Sequence, residues 1–362
     1  MKRFFAIVLC IVMALSVVAC GDKPAETTPA DNNTTTEVDY KLGMGIVVST
    51  ASSKTGNAQV DATVATVVTD ADGKIVMCRI DVAQNKMNVA DGAVDTAKTF
   101  ETKMELGDRY GMAGKVDNNG DGVMKEWYEQ TKAFEAYVVG KTAAEVRAIE
   151  TQLVNNHYIA VDTALLSAGC SMQITDFMEA VAKACEDEQG MSFKAVAGSF
   201  TLGVAAKTTA EESTAATTEA EGVVKMYSDF AASVVVDGKI VATLNDAIQP
   251  QIKVNTAGEI GDVTFKGTKR ELKEGYNMAT FGAKLDNNGD GKVLEWYVQS
   301  LEFSKFVVGK TGAEVAGMKT VAATQGSVGY MISADEALLA AGCTIQIGGI
   351  CAVVAQSVTN AR

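Results

Sequence analysis

The chain has 362 residues but only one histidine, three prolines and two tryptophans, and its seven cysteines include no Cys-X-X-Cys pair. A lone histidine, His157, cannot supply a repeated metal or nucleophile–base site, so it reads as a surface or packing residue. Beyond Cys10 and Cys20 there are five cysteines: Cys78, Cys170, Cys185, Cys343 and Cys351. That odd set makes neither a disulfide framework nor a zinc site, and small buried apolar side chains are the expectation. Positive charge is also short. Lys and Arg number 32 against 45 Asp and Glu, a net charge of −13, which argues against a nucleic-acid partner. No apolar run reaches the roughly 20 residues that a spanning helix needs. No pair of carboxylates stands out among the acids, so no catalytic residue is assigned.

What is present begins with Lys2-Arg3, an apolar run from Phe4 to Leu15 and small residues up to Ala19-Cys20. A basic start, short apolar core and small-residue exit describe a secretory signal over 1–19. Val17-Val18-Ala19-Cys20 resembles the lipobox of bacterial lipoproteins, and that resemblance implies that Cys20 becomes the lipid-modified first residue of the mature chain. Export with a lipid anchor on the outer face of the cytoplasmic membrane follows from it. Losing Lys2 and Arg3 takes the charge from −13 to −15. Residues 20–39, rich in Thr and holding Pro24 and Pro29, read as a flexible tether.

From there landmarks recur in order. Asp72-Gly73-Lys74-Ile75-Val76 returns as Asp237-Gly238-Lys239-Ile240-Val241, and Leu42-Gly43 as Leu202-Gly203. Thr102-Lys103 answers to Thr268-Lys269, Val138 to Thr142 answers to Val307 to Thr311, and Ala168-Gly169-Cys170 answers to Ala341-Gly342-Cys343. The spacing is too long for a solenoid and implies a tandem duplication, with repeat domains at 40–189 and 190–362. In the first copy, Lys41 to Ser49 and Val60 to Thr69 read as strands, and Asp72-Gly73 as a hairpin turn into Ile75 to Ile80. Ala231 to Val236 and Ile240 to Leu244 repeat the hairpin. Glu126 to Tyr137 reads as a helix, Thr142…Glu145 and Thr311…Glu314 as capping boxes, Ser171 to Ile174 as a strand and Thr175 to Cys185 as an amphipathic helix. Lys207 to Glu221, without periodicity, reads as a mobile loop. The fold class expected is α+β, each copy a small antiparallel sheet with helices packed on one face.

Each copy also carries an Asp-Asn-Asn-Gly-Asp-Gly loop, at 117–122 and 286–291, followed by Glu126-Trp127-Tyr128 and Glu295-Trp296-Tyr297. Aspartates at loop positions one and five, asparagine at three and glycine at six form the first half of an EF-hand calcium loop. The glutamate stands at position ten rather than twelve. The candidate ligands are Asp117, Asn119, Asp121, the Val123 carbonyl and Glu126, then Asp286, Asn288, Asp290, the Lys292 carbonyl and Glu295. Such turn pairs also close without an ion. The shortened spacing resembles the calcium loops of extracellular Excalibur-type and dockerin-like modules. Gly-Lys-Thr at 140–142 and 309–311 is no phosphate loop, because Glu135 and Ser304 stand where its first glycine is required. Trp127 and Trp296 read as core, with Tyr128 and Tyr297 partly exposed.

Gln59 to Ala65 with Asp72 to Val76 and Ile80-Asp81, and Lys125 to Gln130 with Tyr137 to Thr142, resemble exported lipoproteins of anaerobic Gram-positive bacteria. These are distantly similar to the FMN-binding domains of extracellular electron transfer. Covalent flavin attachment there needs a hydroxyl three residues after an aspartate, and Val64 stands at that distance from Asp61. The expectation is a membrane-anchored, non-enzymatic binding lipoprotein whose partner is a small molecule or a surface protein. An FMN-binding redox protein is the alternative.

Overall fold

Residues 36–115, 117–280, 286–326 and 329–362 are described by the computed structural model. The expected signal segment 1–19, Cys20 and the expected tether as far as residue 35 lie outside them. In the first half, β1 (Glu37–Ser49), β2 (Asn57–Thr69) and β3 (Ile75–Asn88) form an antiparallel meander. There follow α1 (Lys103–Leu106), α2 (Trp127–Tyr137), α3 (Ala143–Arg147), β4 (Thr151–Val154), β5 (His157–Ala160), α4 (Thr163–Ser167), α5 (Thr175–Cys185) and β6 (Met191–Val196). The second half runs β7 (Thr201–Thr209), β8 (Gly222–Lys225), β9 (Tyr227–Val236), β10 (Lys239–Ile248), β11 (Gln251–Val254) and β12 (Ile260–Thr264). It continues with α6 (Lys269–Leu272), α7 (Trp296–Phe306), α8 (Gly312–Ala316), β13 (Thr320–Ala322), β14 (Met331–Ser333), α9 (Glu336–Ala340) and α10 (Gly348–Thr359).

The two large sheets have the orders β3-β2-β1-β6 and β10-β9-β7. Strand alternation sends one side-chain set to each face. Leu42, Met44 and Ile46 of β1 and Val60, Ala62 and Val64 of β2 join Leu202, Val204, Phe230, Ala232, Val234 and Leu244 of the other sheet in one buried cluster. The opposite faces bury Ala65, Val67 and Ile80 under Trp127, Phe134, Phe177 and Val181, and Ala205, Ala231 and Ile240 under Trp296, Phe303 and Val354. Helices, sheet, sheet and helices therefore stack in four layers, an α+β fold. Each sheet has helices on one face, as expected, and uses the other sheet to cover its second. Residues 37–362 form one compact unit with this shared core.

Two glycines set the helix-to-sheet distance. A Cβ on Gly43 would lie 1.9 Å from the Ala184 carbonyl oxygen, and one on Gly203 would lie 1.8 Å from that of Ser357. That close approach of α5 to β1 and of α10 to β7 accounts for the repeated Leu-Gly pair. The repeated Asp-Gly-Lys-Ile and Val-Gly-Lys-Thr runs meet each other: Ile75 donates to Lys141 O and Gly140 to Ile75 O, as Ile240 does to Lys310 and Gly309 to Ile240. Both expected capping boxes are present.

Several expectations change. Strand β1 begins at Glu37, and Glu37, Val38 and Asp39, read as tether, pair with Val196, Ala195 and Lys194 of β6. By the same pairing β6, placed in the second repeat, belongs to the first sheet. Ser171 to Ile174 is not a strand, because the Ser171 N–H is taken by Gln130 Oε1 at 3.0 Å and the Ile174 N–H by Tyr158 O. The stretch Lys207 to Glu221 is tied down. Its first residues extend β7, Thr214 bridges Val223 in both directions, and Ala216 donates to Gly92 O.

Candidate functional site

In the first loop, Asp117 accepts the Gly120 N–H at 2.8 Å and the Gly122 N–H at 3.0 Å, folding the chain back on itself. Gly120 and Gly122 both take positive φ, 70° and 78°, which only glycine adopts at little cost. Asp121 accepts the Val123 N–H at 2.7 Å and the Asn119 side-chain N–H at 2.7 Å. The second loop repeats the pattern: Asp286 accepts from Gly291 at 3.0 Å, and Asp290 from Lys292 at 2.8 Å and from Asn288 at 3.1 Å. Asn119 Oδ1, Asn288 Oδ1 and Asp286 Oδ1 in these loops are buried and have no hydrogen-bond donor among the described residues. An unsatisfied buried acceptor costs about 1–3 kcal/mol. These oxygens stand at positions one and three of the loops, where a hard cation takes its ligands.

Glu126 and Glu295 do something else. The Glu126 carboxylate accepts the Met112 and Ala113 N–H groups at 2.9 and 3.1 Å, and Glu295 those of Met278 and Ala279 at 2.9 and 3.0 Å. Among the described residues no three His, Cys, Asp or Glu side chains come together as a metal cluster. The glutamates therefore stand apart from the loop aspartates. Each fastens the segment before its loop to the start of α2 or α7. Asp117, Asn119, Asp121 and the Val123 carbonyl, with Asp286, Asn288, Asp290 and the Lys292 carbonyl, are the candidate ligands that are left.

Each half also holds a constellation that the sequence did not reveal. Lys103 Nζ sits 4.9 Å from the Tyr110 ring centroid and 5.4 Å from that of Trp127; Lys269 Nζ sits 5.1 Å from Tyr276 and 5.0 Å from Trp296. Both tryptophans are buried, and Tyr128 and Tyr297 are half-buried. Asp81 and Asp246 accept the backbone N–H of Met104 and Arg270, at 3.1 and 3.0 Å, in the first turns of α1 and α6. Burial pushes both carboxyls up to about 6, against hydrogen bonds from Thr102 or Thr268 and from the backbone. Thr102…Glu105 and Thr268…Glu271 are themselves capping boxes, a signal legible in the repeated Thr-Lys-X-Glu. In the second half a cavity of ≈ 330 Å³ opens beside Lys269.

The five cysteines are unpaired, and all but half-buried Cys185 are buried. Burial raises the Cys170, Cys185 and Cys343 thiols to about 12 and Cys351 to about 11, so their thiolates are scarce at neutral pH. His157 is exposed.

No protein-family profile matches the chain, and no solved structure matches it. A chlorophenol reductase of Desulfitobacterium hafniense is 37% identical over 99 residues, 24% of this chain and 28% of that protein. The similarity thus spans about a quarter of each chain and assigns no family.

Proposed function

We propose that this is an exported lipoprotein, anchored through Cys20 on the outer face of the cytoplasmic membrane, that acts as a non-enzymatic binding protein with one calcium ion ordering each Asp-Asn loop. The observation that carries the calcium reading is the set of buried oxygens with no donor among the described residues, Asn119 Oδ1 and Asn288 Oδ1 at the same loop position and Asp286 Oδ1 beside the second. Calcium takes oxygen ligands in flexible geometry, and two carboxylates per loop suit the weak, extracellular end of its range, around 10⁻⁴ M. The high thiol pKa values support a role in which the cysteines are not nucleophiles.

Thermal melts with calcium and with a chelator test this. At about 5 mM calcium and a Kd near 10⁻⁴ M, binding stabilises by about 2 kcal/mol per site. Asp117→Asn with Asp286→Asn is expected to remove the shift. Glu126→Gln is expected to lower stability by about 1–3 kcal/mol and leave the shift in place, since its carboxylate serves the backbone. An unshifted melt in calcium would sink the metal reading. The redox alternative, with non-covalent FMN, draws support from the partial match to a reductase. A colourless protein after refolding with excess FMN would remove it.

A further inference from the structure

The two halves differ at the start of their last helices, where their elements correspond. At the start of α5 the first half has Thr175-Asp176-Phe177, and at the start of α10 the second has Gly348-Gly349-Ile350. The frame is fixed by Gly43 against Ala184 and Gly203 against Ser357, which align Phe177 with Ile350. In the first half the Phe177 ring packs edge-on against Trp127 at 5.9 Å, and the Asp176 carboxylate lies within electrostatic reach of Lys103. The second half lacks both side chains. The ≈ 330 Å³ cavity lies there, lined by Trp296, Tyr276, Tyr227, Tyr330, Lys269 and Asp229.

Its charges are unusual. Asp229 stands on β9 where β2 has Thr63, and its carboxylate occupies the room that Gly349 leaves: a Cβ at Gly349 would lie 2.3 Å from Asp229 Oδ2. Among the described residues the Asp229 and Lys269 side chains make no hydrogen bond and no close ion pair; they attract each other at longer range, and Asp246 and Glu212 also act on Lys269. Ile347 gives the first turn of α10 no side-chain cap. Burial raises the Asp229 carboxyl and lowers the Lys269 ammonium, each opposed in part by the charge of the other. Glu212 at the rim is engaged by Lys225 at 3.5 Å. A positive and a negative group that do not meet in a close ion pair, facing a single aromatic-walled cavity, suit a guest carrying both signs and a ring.

We propose that this cavity binds an aromatic α-amino acid, its carboxylate on Lys269, its ammonium on Asp229 and its ring against Trp296. The guest supplies from outside what Asp176 and Phe177 supply from within the first half. A volume of this size falls at the small end of ligand pockets. The inference rests on reading the chain as a binding protein, and it names that protein's ligand.

The test is calorimetric titration of the full mature chain with L-phenylalanine, 3-phenylpropionate and phenethylamine, in calcium and again in chelator. Phenylalanine is expected to bind more tightly than about 1 mM, and each single-charge analogue at least about tenfold more weakly, the worth of one charge-assisted hydrogen bond. Lys269→Met should cost a similar factor. Asp229→Thr, Gly349→Asp and Ile350→Phe combined install the first half's arrangement, and should abolish binding without lowering the melting temperature. Absence of phenylalanine binding to the wild type, or equal binding by phenethylamine, would overturn the proposal, as would undiminished binding by the well-folded triple variant. Because the calcium-dependent melt is read without amino acid, failure here leaves the metal reading standing, and the reverse holds.

Discussion

Asp81 and Asp246 make the protein's stability fall as pH rises through the weakly acidic range. Both are fully buried at the head of a capping-box helix, and burial moves each carboxyl from 3.8 to about 6. Between those values the folded chain holds a proton that the unfolded chain has released, so stability declines with rising pH there and is flat above. At about 1.4 kcal/mol per tenfold change in proton affinity, the loss is about 3 kcal/mol for each aspartate. Asp81→Asn keeps an oxygen for the Val82 and Met104 N–H groups, at 2.7 and 3.1 Å, and removes the charge. The variant should match wild type near pH 4 and exceed it by up to about 3 kcal/mol at pH 7.5. Asp246→Asn should do the same, and the pair should add, since the sites lie in different halves. Urea denaturation across the range reads this directly. Many exposed acids also titrate, so the quantity that decides is variant minus wild type at each pH. A difference constant from pH 4 to 7.5, or an Asn variant less stable at neutral pH, would refute the reasoning.

Two further outcomes test the packing between and within the halves. Arg270 donates to both Asp187 carboxylate oxygens at 3.1 Å in a junction where both side chains are buried, so Arg270→Ala should cost about 3–5 kcal/mol by leaving Asp187 uncompensated. Chemical denaturation measures it, and Asp187→Asn in the same chain should recover part of the loss. Gly203→Ala forces a methyl against the Ser357 carbonyl and should destabilise by about 1–3 kcal/mol in the same assay, whereas Gly238→Ala, at an open turn with φ 76°, tests backbone strain without a clash.

Strands β1, β2, β3, β9 and β10, their hairpins, the capping boxes at Thr142 and Thr311 and α5 were legible because each is a local signal, an alternation or a cap. The Leu-Gly and Val-Gly-Lys-Thr repeats were visible as repeats, but their reason was not. It lies in a helix touching a strand and a loop hydrogen-bonded to a hairpin far away in the chain. Ser171 to Ile174 failed as a strand because one side chain, Gln130, claims its first N–H. The loop aspartates close turns on backbone N–H groups, an alternative the turn pairs already offered, and the Glu126 and Glu295 carboxylates, assigned to the metal shell by spacing alone, are taken by backbone amides. Lys269 and Asp229 could not be paired with a cavity from sequence, since the signal is an absence, two missing side chains on a third element. Aligning the starts of α5 and α10 would have exposed it.

The shared sheet-to-sheet core has a further meaning. When two identical chains pair across such a face, every substitution appears twice, and each must suit both copies at once. Here the two sheets belong to one chain, so one half can keep Phe177 and Asp176 as a permanent plug while the other carries Ile350 and Gly349. The plugged half then serves as the rigid wall against which the open half is built. Asymmetry becomes available without loss of the common core.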